Sequence, residues 1–77
     1  MTLDKIKPHQ KVKITAIHGG HNVRQRLNQL GIYIGKHAIV KRGGPFGGPI
    51  LLSIDHSDIA LGRGMATHVT VEVTENQ

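Results

Sequence analysis

A chain of 77 residues without cysteine can form neither a disulfide nor a thiolate zinc site, so its fold must depend on one small aliphatic core. No apolar run is long enough to span a bilayer, and the chain starts without the apolar stretch of a signal peptide. The formal net charge of +5 favours an acidic partner, but it leaves nucleic acid, anionic lipid and an acidic protein surface all open. We expect one soluble cytoplasmic domain over residues 1–77, with an ordered core over about 3–73.

The chain begins with a short turn followed by a strand. Leu3 and Ile6 precede Pro8, and we expect them to anchor this turn on the core. Residues 11–17 alternate between polar and apolar, which predicts a strand with one buried face. That face would carry Val12, Ile14 and Ala16.

Only one segment has the pattern of a helix. Val23, Leu27 and Leu30 recur at spacings of four and three residues and so lie on one face. Asn22 is expected to cap the start of this helix, and Gly31 is expected to end it in the left-handed conformation. So short a helix must pack its apolar stripe on the rest of the fold.

The remaining segments alternate between strands and turns. Strands are expected over residues 36–42, 50–54, 59–61 and 68–73. The connections are a short extended link over 32–35, a glycine- and proline-rich loop over 43–49, a polar turn over 55–58 and a tight turn over 62–66. Five short strands with one inserted helix predict a mainly β fold, a small barrel.

The order and spacing of these features resemble the FeoA family, the ferrous iron transport protein A group. The matching features are Gly19–Gly20, the basic helix ending at Leu30–Gly31, Gly35, the loop Pro45-x-Gly47-x-Pro49, and Leu61 with Ala66 five residues later. The resemblance covers Leu3 to Val73. The chain departs from the family pattern at Tyr33–Ile34, at Gly62–Arg63–Gly64 and in its glycine-rich loop.

This resemblance implies an SH3-like barrel of about five strands with one short inserted α-helix. It also implies a small cytosolic accessory to the large membrane ferrous-iron transporter that carries a GTP-binding domain. Such a protein would act by protein–protein binding, as a monomer or a weak homo-oligomer. The alternative is a small basic β-barrel that binds nucleic acid or serves as a metal-responsive regulatory module, although single-strand binding needs stacked aromatics and only 3% of the residues are aromatic.

Candidate contacts for the transporter are the charged and apolar residues that are not expected to belong to the core. Phe46 is the one large apolar side chain in the predicted loop, where it either meets a partner or folds back onto the end of the barrel. Arg24 and Arg26 lie off the buried helix face, where they are either solvated or meet a partner. The full set is Arg24, Arg26, Tyr33, Pro45, Phe46 and Pro49.

The six histidines call for a test of metal binding. His18 and His21 are spaced as a pair across the Gly-Gly turn, but no acid or cysteine lies within a few residues of them. Asp55, His56 and Asp58 form a second cluster, which is also the composition of an ordinary hairpin turn. We therefore expect no resident metal and no cofactor, with adventitious zinc or nickel binding at most.

Catalysis is not expected from this sequence. Ser53, His56 and Asp58 are close in the chain, but nothing supplies an oxyanion hole for them. The loop over residues 43–49 lacks the Gly-Lys-Ser/Thr ending of a phosphate-binding loop. We interpret the chain as a binding protein and not an enzyme.

Overall fold

The computed structural model describes residues 1–43 and 48–75 and contains a five-stranded antiparallel sheet. Its strands are β1 (Lys11–Ile17), β2 (His37–Arg42), β3 (Ile50–Ile54), β4 (Ser57–Leu61) and β5 (Val69–Glu75). Their order across the sheet is β4-β3-β2-β1-β5, and every neighbouring pair is antiparallel. Helix α1 (His21–Gln29) lies between β1 and β2 in the chain, so the predicted mainly β fold with an inserted helix is confirmed.

The N-terminal turn and the connection before β5 are both helical. Residues Leu3–Lys5 form a 3-10 turn, and Leu3 and Ile6 are buried as predicted. The tight turn expected over 62–66 is instead a single-turn helix, α2 (Arg63–Ala66). Ala66 is fully buried in α2, because the helical turn carries its methyl group into the core.

A β-bulge in β1 changes which residues face the core. The pairing of β1 with β5 shifts register between Ile14 and Ala16. An extra residue in one strand reverses the alternation of side chains beyond it. Ile17 is therefore buried and Ala16 is only partly buried, so the prediction that Ala16 shares the inward face is wrong.

A two-residue turn joins β3 to β4. Ile54 pairs with Ser57, and the two residues between them, Asp55 and His56, have φ angles of 51° and 67°. Positive φ at both central positions is the geometry of a type I′ turn, whose twist matches that of the flanking strands. Because the turn is this tight, β4 begins at Ser57 and not at Ile59 as predicted.

The core consists of aliphatic side chains from every strand, from both helices and from the N-terminal turn. Its largest fully buried members are Leu3, Val12, Ile14, Leu27, Ile32, Val40, Ile50, Leu52, Leu61 and Val69. The predicted stripe on α1 is confirmed, with Leu27 fully buried and Val23 and Leu30 partly buried against the core. Within residues 1–43 and 48–75, no helix has the length and apolarity needed to cross a membrane.

Candidate protein-interaction site

Helix α1 ends in a Schellman motif that determines the direction of the chain after it. Gly31 has a φ of +91°, the left-handed conformation that glycine adopts without strain. The backbone N–H of Ile32 donates to the carbonyl of Leu27 at 3.0 Å, and that of Gly31 donates to Asn28 at 3.0 Å. The predicted end of the helix at Gly31 is therefore confirmed.

The start of α1 differs from the prediction. The N-cap residue is Gly20, and no side chain caps this end of the helix. Asn22 is the second helical residue, so the prediction that it caps the helix is wrong. The preceding Gly19 has a φ of +113°, and a β-carbon there would lie 3.1 Å from the side chain of Val23, so the backbone passes close to the helix.

The segment after α1 is a turn fastened to β1 and not the extended link that was expected. The backbone N–H of Lys36 donates to the carbonyl of Tyr33 at 3.2 Å, and that of Gly35 donates to Ile14 at 2.8 Å. Ile14 in turn donates to Lys36 at 2.9 Å. These bonds hold the turn in a fixed position while leaving Tyr33 47% exposed and Ile34 64% exposed.

This turn and the outer face of α1 form a groove on the surface. Arg24 and Asn28 are one helical turn apart and lie on the same face of α1, beside Tyr33. One end of the groove has a volume of about 310 Å³ and is lined by Ile17, Arg24, Asn28, Tyr33 and Ile34. The adjoining end, of about 450 Å³, is lined by His21, Arg24, Gln25, Asn28, Gln29 and Tyr33. We call the two ends together the α1 groove.

Positive charge on α1 is not balanced by nearby acids. The sequence has no aspartate or glutamate between Asp4 and Asp55. In the part of the chain that the structure describes, the ion pairs are Lys11–Glu75 at 3.3 Å, Lys36–Asp55 at 2.7 Å and Lys41–Asp58 at 3.1 Å. Arg24 and Arg26 are exposed and form no ion pair with any described residue.

The structure separates the two arginines that the sequence grouped together. Two residues along a helix correspond to a rotation of about 200°, so Arg24 and Arg26 point to nearly opposite sides of α1. Arg24 lines the α1 groove and Arg26 does not. One arginine of the pair therefore belongs to the groove, and the other provides a natural comparison for it.

Among the other candidate contacts that the structure describes, Tyr33 joins Arg24 in the groove and Arg26 and Pro49 do not. Pro49 is exposed immediately before β3. Pro45 and Phe46 lie outside the described residues. Sequence reasoning missed Ile17, Asn28 and Ile34. The available signal was a pair of large side chains, Tyr33 and Ile34, between the glycines Gly31 and Gly35.

His18 and His21, which the sequence suggested as a metal-binding pair, have different surroundings in the structure. The Nε2 atom of His18 lies 2.9 Å from the hydroxyl of Thr70, whereas His21 lines the α1 groove. No group of three or more histidine, cysteine, aspartate or glutamate residues within 1–43 and 48–75 is placed to hold a metal ion. Neither histidine gains a metal-binding partner from the geometry of the described residues.

The second polar cluster belongs to the β3–β4 hairpin. Lys36 donates a hydrogen bond of 2.7 Å to the carboxylate of Asp55, and this bond together with the charge of Lys36 lowers the pKa of Asp55 below its ordinary value. Asp58 pairs with Lys41 on β2. Both acids therefore form ion pairs that connect the hairpin to neighbouring segments of the fold.

A five-stranded antiparallel sheet with a helix after the first strand, and a groove beside that helix, has the architecture of a small SH3-like domain. The FeoA domain matches residues 1–73 of the chain. The chain therefore belongs to the FeoA family, and the family predicted from the sequence is confirmed.

Individual relatives agree with this assignment. A protein of Methanocaldococcus jannaschii named "Putative Fe(2+) transport protein A" is 38% identical over 69 residues, which cover 90% of this chain and 82% of the relative. The crystal structure of an iron uptake regulatory protein (FeoA) is 35% identical with a TM-score of 0.87, covering 92% of this chain and 93% of that one. Stenotrophomonas maltophilia FeoA, crystallised with zinc and described as a prokaryotic SH3 domain protein, is 26% identical with a TM-score of 0.74 over 94% of this chain and 89% of its own.

Proposed function

We propose that this protein is an accessory of ferrous-iron transport that binds the cytoplasmic GTP-binding part of a membrane Fe(II) transporter. Membership of the FeoA family supports the role in iron transport. The observation that carries the binding role is the α1 groove, where two exposed apolar side chains, Tyr33 and Ile34, adjoin the unbalanced charge of Arg24. The protein acts in the cytoplasm by association, without catalysis and without holding the iron that the transporter carries.

The relatives support the same role. Stenotrophomonas maltophilia FeoA is described as a candidate ferrous iron transport activating factor, and the Methanocaldococcus jannaschii relative carries the name of a transport protein. Both are small proteins that this chain matches over most of their length. An accessory that works through its surface fits a domain of this size, because a 77-residue chain has little interior to spare for a ligand.

The proposed contacts form two sets. Arg24 and Tyr33 act through the α1 groove, whereas Arg26 lies on the other side of the helix and belongs to neither set. Pro45, Phe46 and Pro49 act through the loop that leads into β3, where Phe46 supplies the apolar anchor. Because one set can contact the transporter without the other, each set is tested with its own variants.

The primary experiment is a pull-down of the full chain against the purified GTP-binding domain of the same organism's transporter. A mixture of DNA and RNA fragments is added as a competitor. Retention of the transporter domain at moderate salt and in the presence of nucleic acid is the expected result. Retention of nucleic acid alone, lost as the salt concentration rises, would replace this proposal with a nucleic-acid-binding role, because phosphate contacts are strongly salt-dependent.

A further inference from the structure

We propose that the α1 groove recognises one acidic, apolar segment of the partner, with a carboxylate on Arg24 and an adjacent apolar side chain against Tyr33 and Ile34. The identity of the partner rests on the proposed function above, and the chemistry of the recognised segment is the new inference. It is carried by the exposed side chains of Tyr33 and Ile34, which line the same groove as Arg24, a guanidinium that forms no ion pair with any described residue.

Backbone hydrogen bonds fix the turn that carries Tyr33 and Ile34 at one end of the groove. Ile34 is 64% exposed in a turn that is tied to Ile14 on β1 and that follows directly on the Schellman motif of α1. Large apolar side chains exposed on a fixed turn lose little conformational freedom when a partner covers them. This end of the groove therefore suits an aliphatic or aromatic side chain from the partner.

Arg24, which lines both ends of the groove, favours an acidic group beside that side chain. The guanidinium of Arg24 is exposed and forms no ion pair within residues 1–43 and 48–75. Arginine binds carboxylates through two parallel hydrogen bonds, and the amide of Asn28 one turn away can donate or accept a further bond. A partner segment with an aspartate or glutamate next to an apolar residue would bind Arg24 with its carboxylate and pack its apolar side chain on Tyr33 and Ile34.

A protein segment explains the groove better than a nucleic acid does. A phosphate backbone would engage exposed cations irrespective of the side of the helix on which they lie, and it would leave Ile34 uncovered. Of the residues within 1–43 and 48–75, Tyr33 is the one tyrosine, phenylalanine or tryptophan that lines the groove, whereas base stacking generally uses several aromatics. Apolar surface and one cation in the same concavity match the amphipathic character of a peptide segment.

The test measures affinity for the transporter's GTP-binding domain by isothermal titration calorimetry at moderate salt. Arg24→Glu and Ile34→Ser should each weaken binding at least tenfold, roughly the effect expected for a central interface residue. Arg26→Glu is the matched control, because it changes net charge by the same amount on the same helix but outside the groove. Its affinity should stay within about threefold of that of the unmodified protein.

A second measurement separates loss of contact from loss of folding. All three replaced side chains are exposed, so thermal melts of the variants should match that of the unmodified protein within a few degrees. In ¹H–¹⁵N spectra of the unmodified protein, addition of the GTP-binding domain should shift the amides of Arg24, Asn28, Tyr33 and Ile34 more than that of Arg26.

The outcomes distinguish this inference from the function on which it rests. No binding by the unmodified protein would overturn both. If Arg24→Glu and Arg26→Glu weakened binding equally, the proposed function would stand. The effect would then come from net charge and not from the groove, which would overturn the inference. Binding unaffected by Arg24→Glu and Ile34→Ser would place the contact elsewhere and overturn the inference alone.

Discussion

Ile32 donates its backbone N–H to the carbonyl of Leu27 at 3.0 Å, and both side chains are fully buried. The chain that leaves α1 is therefore fixed by the core one residue before the exposed Tyr33. A surface contact on this turn is built directly on the interior and does not depend on a flexible loop. The α1 groove should consequently exist in the free protein, ready for a partner.

Replacing Gly31 by alanine tests the closure of the helix. Its φ of +91° is strained for any residue with a β-carbon, whereas no atom lies within 4 Å of where that carbon would be placed. The loss of stability should therefore come from the backbone alone and amount to about 1 to 2 kcal/mol in the free energy of unfolding by urea denaturation.

The matched control for this change is Gly64→Ala in α2. Gly64 lies within the helical turn, and again no atom lies within 4 Å of the position that a β-carbon would take. Alanine there should stabilise the protein by about 0.5 to 1 kcal/mol, because it restricts the unfolded chain and favours helix. Equal effects of the two alanines would contradict the conformational argument.

Leu27→Ala tests the docking of α1 on the sheet. Leu27 is fully buried, so its truncation should lower the free energy of unfolding by about 2 to 4 kcal/mol, a large share for so small a domain. Gln25→Ala on the exposed side of the same helix should change it by less than about 0.5 kcal/mol. Denaturant titrations of both variants would measure the difference, and an unchanged midpoint for Leu27→Ala would show the helix face to be wrong.

The Lys36–Asp55 pair predicts a pH dependence with a definite sign. Lys36 lowers the pKa of Asp55 in the folded protein below the ordinary value of 3.8, so the folded state favours the ionised carboxyl. The resulting stabilisation is present above that value and is lost as pH falls through the lower, folded-state pKa. Thermal melts should therefore show the difference between the unmodified protein and Asp55→Asn shrinking below about pH 4.

Asparagine is the suitable replacement at this position, because Asp55 has a φ of 51° and asparagine tolerates that conformation. The effect should be small and weakened by salt, since the carboxyl is exposed. In a Lys36→Gln background, Asp55→Asn should leave no such pH-dependent difference. A difference that persisted there would assign the dependence to another group.

Phe46→Ala tests the loop as a second contact surface. We predict weaker binding to the transporter's GTP-binding domain with a melting temperature nearly unchanged. Calorimetric titration and thermal melts of the same preparation would measure both quantities. A large drop in melting temperature with binding retained would instead assign Phe46 to the core.

Local patterns in the sequence predicted most of the framework. The alternation of residues 11–17 and the spacing of Val23, Leu27 and Leu30 identified the first strand and the helix, because these periods reflect the geometry of each element. Gly31 ended the helix as predicted, since the left-handed conformation is a property of the residue itself. Element boundaries were less well predicted, as at Ser57, where a tight turn extended β4.

The sequence by itself determined the class of fold, the aliphatic composition of the core and the run of positive charge without acids, because each follows from residue types and their periods. Only the tertiary structure decided that a bulge turns Ile17 inward and that Arg24, and not Arg26, lines the α1 groove together with Tyr33. These outcomes depend on strand register and on the direction in which the chain leaves a helix. Both are set by contacts between residues far apart in the chain, which no local pattern records.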